Sequence, residues 1–213
     1  MRRRCGRYRH EGPTASVSPP VAGRALRVIA GRLGGRRLEA PQGRATTRPT
    51  SDRVREAIFS MLGDLEGSVA LDLFAGTGAL GIEALSRGAE RVVFVERDRA
   101  AIQALRANLS SLELAAPEAE VRVGHALASL RAARGAGETY DLVFVDPPYG
   151  QTREIGAELS VLLPALLASD ARVVVESDRR TPAELPMEVV QQRRYGDTTI
   201  TIHHHLTEDS DER

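Results

Sequence analysis

The feature that most constrains this chain is a rhythm of short apolar runs alternating with segments of helical period. Strand-sized apolar runs fall at 69–73, 91–96, 120–123, 141–146 and 171–176. Between them the spacing predicts helices over 79–87, 99–110, 126–133 and 155–167, the last interrupted near Pro164. Such alternation predicts a parallel sheet with helices on both faces. The rhythm then changes. Residues 188–194 and 198–203 read as two strands joined by a Gly196-Asp197 turn, an antiparallel terminal hairpin. Ligands of open α/β sheets bind beyond the carboxyl ends of the strands. Chemically distinctive residues should therefore gather just after strands.

They do so first at residues 71–81, Leu-Asp-Leu-Phe-Ala-Gly-Thr-Gly-Ala-Leu-Gly. Gly76, Gly78 and Gly81 form a GxGxxG pattern between a strand and a helix, where a missing Cβ lets the backbone turn tightly and approach a ligand. Glu96 ends the next strand 20 residues after Gly76, and an acid there can accept from ribose hydroxyls. The pattern points to a nucleoside-containing cofactor rather than a bare strand-helix turn. NAD and S-adenosylmethionine both fit so far. A dinucleotide needs the helix N-terminus to hold a pyrophosphate, and Asp72 at the strand end would oppose it. The same carboxylate suits a cationic sulfonium or ammonium group, which favours S-adenosylmethionine.

The second gathering is Asp146-Pro147-Pro148-Tyr149, at the end of the fourth core strand. The prolines fix their own φ and supply no N–H, leaving the Asp146 and Pro147 carbonyls as outward acceptors beside the Asp146 carboxylate. That cluster suits an amino group with two N–H donors, and Tyr149 offers a face on which a base can stack. The expected chemistry is direct methyl transfer to the exocyclic nitrogen of a base. Acceptors would orient the NH₂ and stabilise the positive charge that grows on it. The plainer alternative is a rigid strand exit.

Charge is divided along the chain. Residues 1–55 hold 14 Arg against three acids, a net of +11, and the remainder holds 15 Arg against 26 acids, a net of −11. There is no Lys. A basic N-terminal part suggests contact with a polyanion. Residues 1–23 lack an apolar period and read as a disordered basic tail, with an organelle transit peptide as the weaker alternative. Residues 25–30 and 36–39 read as a small basic hairpin, followed by a loop over 41–48. A helix then opens at Pro49 or Thr50, with Ser51 or Asp52 as N-cap and Val54, Ile58, Met61 and Leu62 on its buried face. Candidate phosphate contacts are Arg27, Arg32, Arg36, Arg37 and Arg48, with Arg53 and Arg55 on the helix. The single cysteine, Cys5, can build neither an internal disulfide nor a zinc site. No apolar run reaches membrane-spanning length. His203, His204 and His205 read as a polar end rather than a metal site, because successive strand residues point to opposite faces. No metal is expected. Glu176, at the fifth strand end, is either structural or borders the pocket.

Several segments together resemble the class I methyltransferases that act on amino groups and, more narrowly, the RsmD family of bacterial small-subunit rRNA guanine-N2 methyltransferases. They are Arg27-Val28-Ile29-Ala30-Gly31, residues 48–56, residues 72–88 and residues 146–149. The resemblance covers about 27–203. It implies a Rossmann-like, seven-stranded, mostly parallel sheet with the antiparallel hairpin at one edge, plus a small N-terminal hairpin/helix extension. It implies S-adenosylmethionine as cofactor, and as target the N2 amino group of guanine 966 of 16S rRNA in the 30S subunit. Asp72, Phe74, Gly76 and Gly78 would line the methionine end and Glu96 would hold the ribose, with Ala75, Thr77 and Arg97 adjoining. Where the family usually has Gly-Asp-Ala near the adenine, this chain has Gly124-His125-Ala126, so His125 and Ala126 are candidate contacts without the acid. The expected organisation is a tail over 1–23, an RNA-binding hairpin and helix over 24–66, a methyltransferase core over 67–205 and an acidic tail over 206–213, in a cytoplasmic monomer. The rivals are a DNA adenine-N6 methyltransferase, a catalytically silent RNA-binding module and an NAD-dependent oxidoreductase.

Overall fold

The computed structural model describes residues 26–41, 51–148, 152–178 and 185–206. The expected tail over 1–23 lies outside them, as does the expected acidic tail over 206–213 apart from Leu206. Seven strands form one sheet in the order β3-β2-β1-β4-β5-β7-β6. The strands β1 (Val69–Asp72), β2 (Arg91–Glu96), β3 (Ala119–Val123), β4 (Tyr140–Val145) and β5 (Leu167–Asp178) run parallel. The terminal strands β6 (Glu188–Tyr195) and β7 (Thr198–His205) form the antiparallel hairpin, with β7 paired to β5.

The sheet is parallel because its central strands are apolar on both faces. In β2 and β4, Val92 to Val95 and Leu142 to Val145 are all essentially inaccessible. Alternate residues feed two separate cores. Ala70, Val92, Phe94, Leu142 and Phe144 pack with the helices α1 (Asp52–Leu62), α2 (Ala79–Ser86) and α3 (Arg99–Ser111). Leu71, Val93, Val95, Val143 and Val145 pack with α4 (Ala126–Gly135) and α5 (Thr152–Leu162). The helix expected over 155–167 ends at Leu162, and Pro164 opens a separate 3-10 turn, Pro164–Leu166. The helix α1 starts at Ser51, whose hydroxyl accepts from the Val54 N–H. Phe59 of α1 lies 5.8 Å from Phe144, centroid to centroid.

The N-terminal segment forms the small hairpin expected. Arg27 and Arg37 make an antiparallel bridge around a turn over 32–35, and the Val28 and Leu38 N–H groups donate across it to the Arg36 and Leu26 carbonyls at 2.9 and 2.8 Å. Other donors of the segment reach α2. The Ile29 and Ala30 N–H groups donate to the Glu83 carboxylate at 2.7 and 3.0 Å. The Arg32 N–H donates to the Ser86 carbonyl at 2.8 Å. Gly31 sits so close that a Cβ would lie 1.8 Å from that carbonyl oxygen. The segment is thus a strap on the core rather than a free ribbon.

Glu83 anchors this strap from inside an otherwise apolar helix. Its side chain is fully buried. Arg87 donates to it at 2.8 Å, and the fully buried Arg55 guanidinium lies 3.9 Å away. Removing one partner of a buried charge cluster strands the others, at a cost of about 3–5 kcal/mol. Glu83→Ala is expected to lower unfolding stability by that amount in urea titrations, whereas Glu56→Ala, on the exposed face of α1, should change it by less than about 0.5 kcal/mol.

Candidate functional site

The strand order reverses between β1 and β4, so both of the distinctive loops leave from neighbouring strand ends. Asp72 is in register with Phe144, and the Leu73 N–H donates to the Phe144 carbonyl at 3.1 Å. Asp146, directly after β4, therefore leaves the sheet beside the end of β1. The chain diverges beyond this point, because α2 packs in one core and α5 in the other. In doubly wound sheets the crevice that binds ligands lies at such a junction.

The glycine-rich turn is held from below by two acids. Asp72 is 2% exposed. Its carboxylate accepts from the Gly81 N–H at 3.1 Å and from the Phe74 N–H. Burial pushes the Asp72 carboxyl up to about 7, with the nearby Glu96 charge adding to the rise and the two backbone donors opposing it. Glu96 uses one oxygen for the Gly76 N–H at 2.8 Å and the other for the N–H groups of Arg97 and Asp98 at 2.7 and 2.8 Å. Gly76 and Gly78 have φ of 54° and 81°, in the left-handed region. A Cβ on Gly78 would lie 2.4 Å from a methyl of Leu105, so the third helix presses directly on the turn. Phe74, Gly76 and Thr77 stay partly exposed around it while Ala75 is buried.

The rest of the expected cofactor contacts surround that turn. Arg97 follows β2, and its guanidinium lies 3.3 Å from Nδ1 of His125, the residue preceding α4. An Arg donor requires Nδ1 as acceptor, which leaves the imidazole proton on Nε2. Both side chains are exposed, and Ala126 opens α4 beside them. Across the crevice, Asp146 and Pro148 are half-buried and Pro147 is buried. Tyr149 lies outside the described residues, as does Arg48.

The arginines divide sharply. Arg55 is not a phosphate contact: it is fully buried and donates to the Arg27 carbonyl at 2.7 Å and to Asp52 at 2.8 Å. It is enclosed because the strap folds over α1, which helical periodicity alone does not reveal. Arg27 pairs with Asp52 at 3.3 Å, Arg32 pairs with Glu118, and Arg36 donates to the Ser111 carbonyl at 2.7 Å. Arg37 and Arg53 are exposed. His203 is buried and hydrogen-bonded to the Met187 carbonyl, and burial lowers its pKa. No group of three metal-ligating side chains occurs among the described residues. No helix among them is long and apolar enough to cross a membrane.

Sequence reasoning missed Glu83 and Asn108. Asn108 of α3 is fully buried and bonds to both Glu39 and Thr77. The signal was present in each case. An acid stands among buried Leu80, Ile82, Ala84 and Leu85, and an amide occupies a core-facing position next to Leu105 and Leu109.

The family model described as conserved hypothetical protein 95 matches residues 26–204. The Bacillus subtilis (strain 168) protein named "Putative rRNA methyltransferase YlbH" is 42% identical over 185 residues, 84% of this chain and 98% of that protein. Ribosomal RNA small subunit methyltransferase D of Escherichia coli (strain K12) is 40% identical over 156 residues, 72% of this chain and 75% of that one. The solved structure titled "Putative methyltransferase yhhF from Escherichia coli" superposes with a TM-score of 0.73 at 34% identity, covering 87% of this chain and 100% of its own.

A carboxyl whose folded-state pKa is raised holds its proton longer than the unfolded chain does, so its contribution to stability is greatest below the unfolded value of 3.8 and is lost as pH rises towards about 7. Asp72→Asn is expected to gain stability relative to the unsubstituted chain across that window, by on the order of 2–4 kcal/mol. Urea midpoints of both proteins at pH 4 and pH 7.5 measure it, and a pH-independent difference contradicts it.

Proposed function

Because the chain belongs to the RsmD family, whose model is described as conserved hypothetical protein 95, we propose that it transfers a methyl group from S-adenosylmethionine to the N2 amino group of a guanine in 16S rRNA, position 966 by family resemblance, within the 30S particle. The observation that carries this reading is the adjacency of the glycine turn and the Asp146-Pro147-Pro148 exit at the β1–β4 junction.

The residues of the turn fit this cofactor better than a dinucleotide. Two carboxylates, Asp72 and Glu96, lie beneath the turn. A pyrophosphate there would meet two acids, while a sulfonium and an ammonium group would be drawn to them. S-adenosylmethionine supplies an electrophilic methyl group when bound. Glu96 keeps acceptor capacity towards a ribose, and the His125 Nε2–H is a donor at the adenine end where the family's usual acid would accept.

On the other wall, Asp146 and the Pro147 carbonyl are assigned to the amino group of the flipped guanine, and Tyr149 to the face of its ring. The delocalised lone pair makes that nitrogen a weak nucleophile. Two acceptors orient it and oppose the positive charge that develops as the N–C bond forms. Asp146 is also assigned to receive the proton that the nitrogen then loses. Among the described residues, Arg37 and Arg53 are exposed and are assigned to phosphates near the strap.

Tritium transfer from labelled S-adenosylmethionine to 30S particles lacking the modification tests the reaction, with mass spectrometry of the nucleoside to identify the atom. Asp146→Ala is expected to lower kcat by at least about 100-fold while leaving cofactor affinity within about threefold. Unchanged turnover removes Asp146 from the mechanism, and transfer to DNA but not to 30S particles rejects the substrate. Replacing both Arg37 and Arg53 by Ala should weaken RNA binding and reduce the slope of log affinity against log salt by about 2.

A further inference from the structure

We infer that Asn108 is a positioning residue that couples the N-terminal strap to the cofactor turn, so that seating RNA on one strengthens cofactor binding at the other. The inference rests on the proposed function for the identity of the two ligands.

The amide of Asn108 is inside the fold, with no solvent exposure. Its Oδ1 accepts from the Glu39 N–H at 2.6 Å, and its Nδ2 donates to the Glu39 carbonyl at 3.1 Å. The side chain therefore mimics a strand partner for the strap. The remaining Nδ2 proton goes to the Thr77 carbonyl at 3.0 Å. Thr77 is the residue between Gly76 and Gly78, both in the left-handed region. A single buried side chain thus holds one peptide of the strap and one peptide of the turn. The reversed amide orientation would set like groups against Glu39 and Thr77, so these three bonds fix its orientation.

The surroundings make this a joint rather than simple core filling. Glycines at 76 and 78 give the turn the backbone freedom that the Asn108 bond restricts. Leu105, one helical turn before Asn108, presses on Gly78. On the strap side, Arg36 donates to the carbonyl of Ser111, at the end of the same helix. Exposed Arg37 lies two residues from Glu39. A strand of RNA held by that part of the strap would order Glu39, and Asn108 would pass the ordering to Thr77. A buried amide left with unpaired neighbours is costly, so the two peptides are favoured in place together. Such linkage is reciprocal: the cofactor must tighten RNA binding by the factor by which RNA tightens cofactor binding.

The test measures that factor. The affinity of the full chain for unmodified 30S particles is measured with and without saturating S-adenosylhomocysteine, for the unsubstituted protein and for Asn108→Asp, which removes both donated bonds. The unsubstituted protein should bind at least about fivefold more tightly with the cofactor product present, and Asn108→Asp less than twofold. Hydrogen exchange of the unsubstituted protein gives an independent readout that does not depend on the variant folding. Saturating S-adenosylhomocysteine without RNA should slow exchange of the Glu39 amide by about threefold or more. A folded Asn108→Asp that keeps the full linkage, or a Glu39 amide indifferent to the cofactor, overturns the inference. A chain that binds no S-adenosylhomocysteine at all instead overturns the proposed function, so the two failures are distinguishable.

Discussion

The parallel pairing of β1 with β4 sets everything else in place. These strands are adjacent in the sheet but separated in sequence by β2 and β3, because the winding starts in the middle and proceeds first to one edge, then to the other. The segment after β1 must leave for the core of α1, α2 and α3, and the segment after β4 for the core of α4 and α5. In doubly wound sheets, neighbouring strand ends whose continuations part in this way border the ligand-binding crevice. Here the glycine turn leaves one of those ends and the proline exit leaves the other. Neither loop would carry the functional reading alone. Their adjacency follows from the register of Asp72 with Phe144.

The turn on the first wall is built at an electrostatic cost. Its N–H groups at Phe74, Gly76 and Gly81 are satisfied by the carboxylates of Asp72 and Glu96. Those carboxylates are close enough that the charge on Glu96 makes ionisation of the buried Asp72 harder. A cationic ligand relieves this repulsion, and an anionic one would aggravate it. The same side chains that shape the turn therefore bias which ligands it accepts. Substituting either acid should disturb backbone and ligand together, so a loss of activity there does not by itself separate scaffold from contact.

Local pattern revealed the sheet well because strand and helix periods are properties of neighbouring residues. The strand over 91–96 was legible to the residue, and the hairpin was legible from its Gly196-Asp197 turn. The strand β5 was read too short. Leu167 already pairs with Tyr140, but a register shift precedes Arg172 and Asp170 takes a left-handed φ of 63°, so Ser169 and Asp170 break the apolar run where the strand is irregular. The N-terminal hairpin is legible, but its docking as a strap on α2 is not, for a different reason. The partner of its Ile29 and Ala30 donors is a side chain some 54 residues away, and no local period encodes that. Burial of Arg55 depends on the same long-range closure. The buried amide at 108 and the buried acid at 83 broke the apolar pattern of their helices, and that breakage was the readable sign of tertiary hydrogen bonding.

The fate of the arginines changes what the charge asymmetry means. A net of +11 over the first 55 residues suggests a broad cationic surface. Yet Arg55 is interior, Arg27 pairs with Asp52 of α1, Arg32 pairs with Glu118 just before β3, and Arg36 caps the end of α3. Among the described residues, these arginines therefore serve to dock the strap on the rest of the fold. Arg37 and Arg53 remain exposed to meet a polyanion. Phosphate contacts of this kind supply salt-sensitive attraction and little sequence information. On the proposed function, choice among nucleotides therefore falls to the β1–β4 junction, where an unstacked base would have to satisfy the acceptors of the proline exit, and to the shape of the RNA that presents that base.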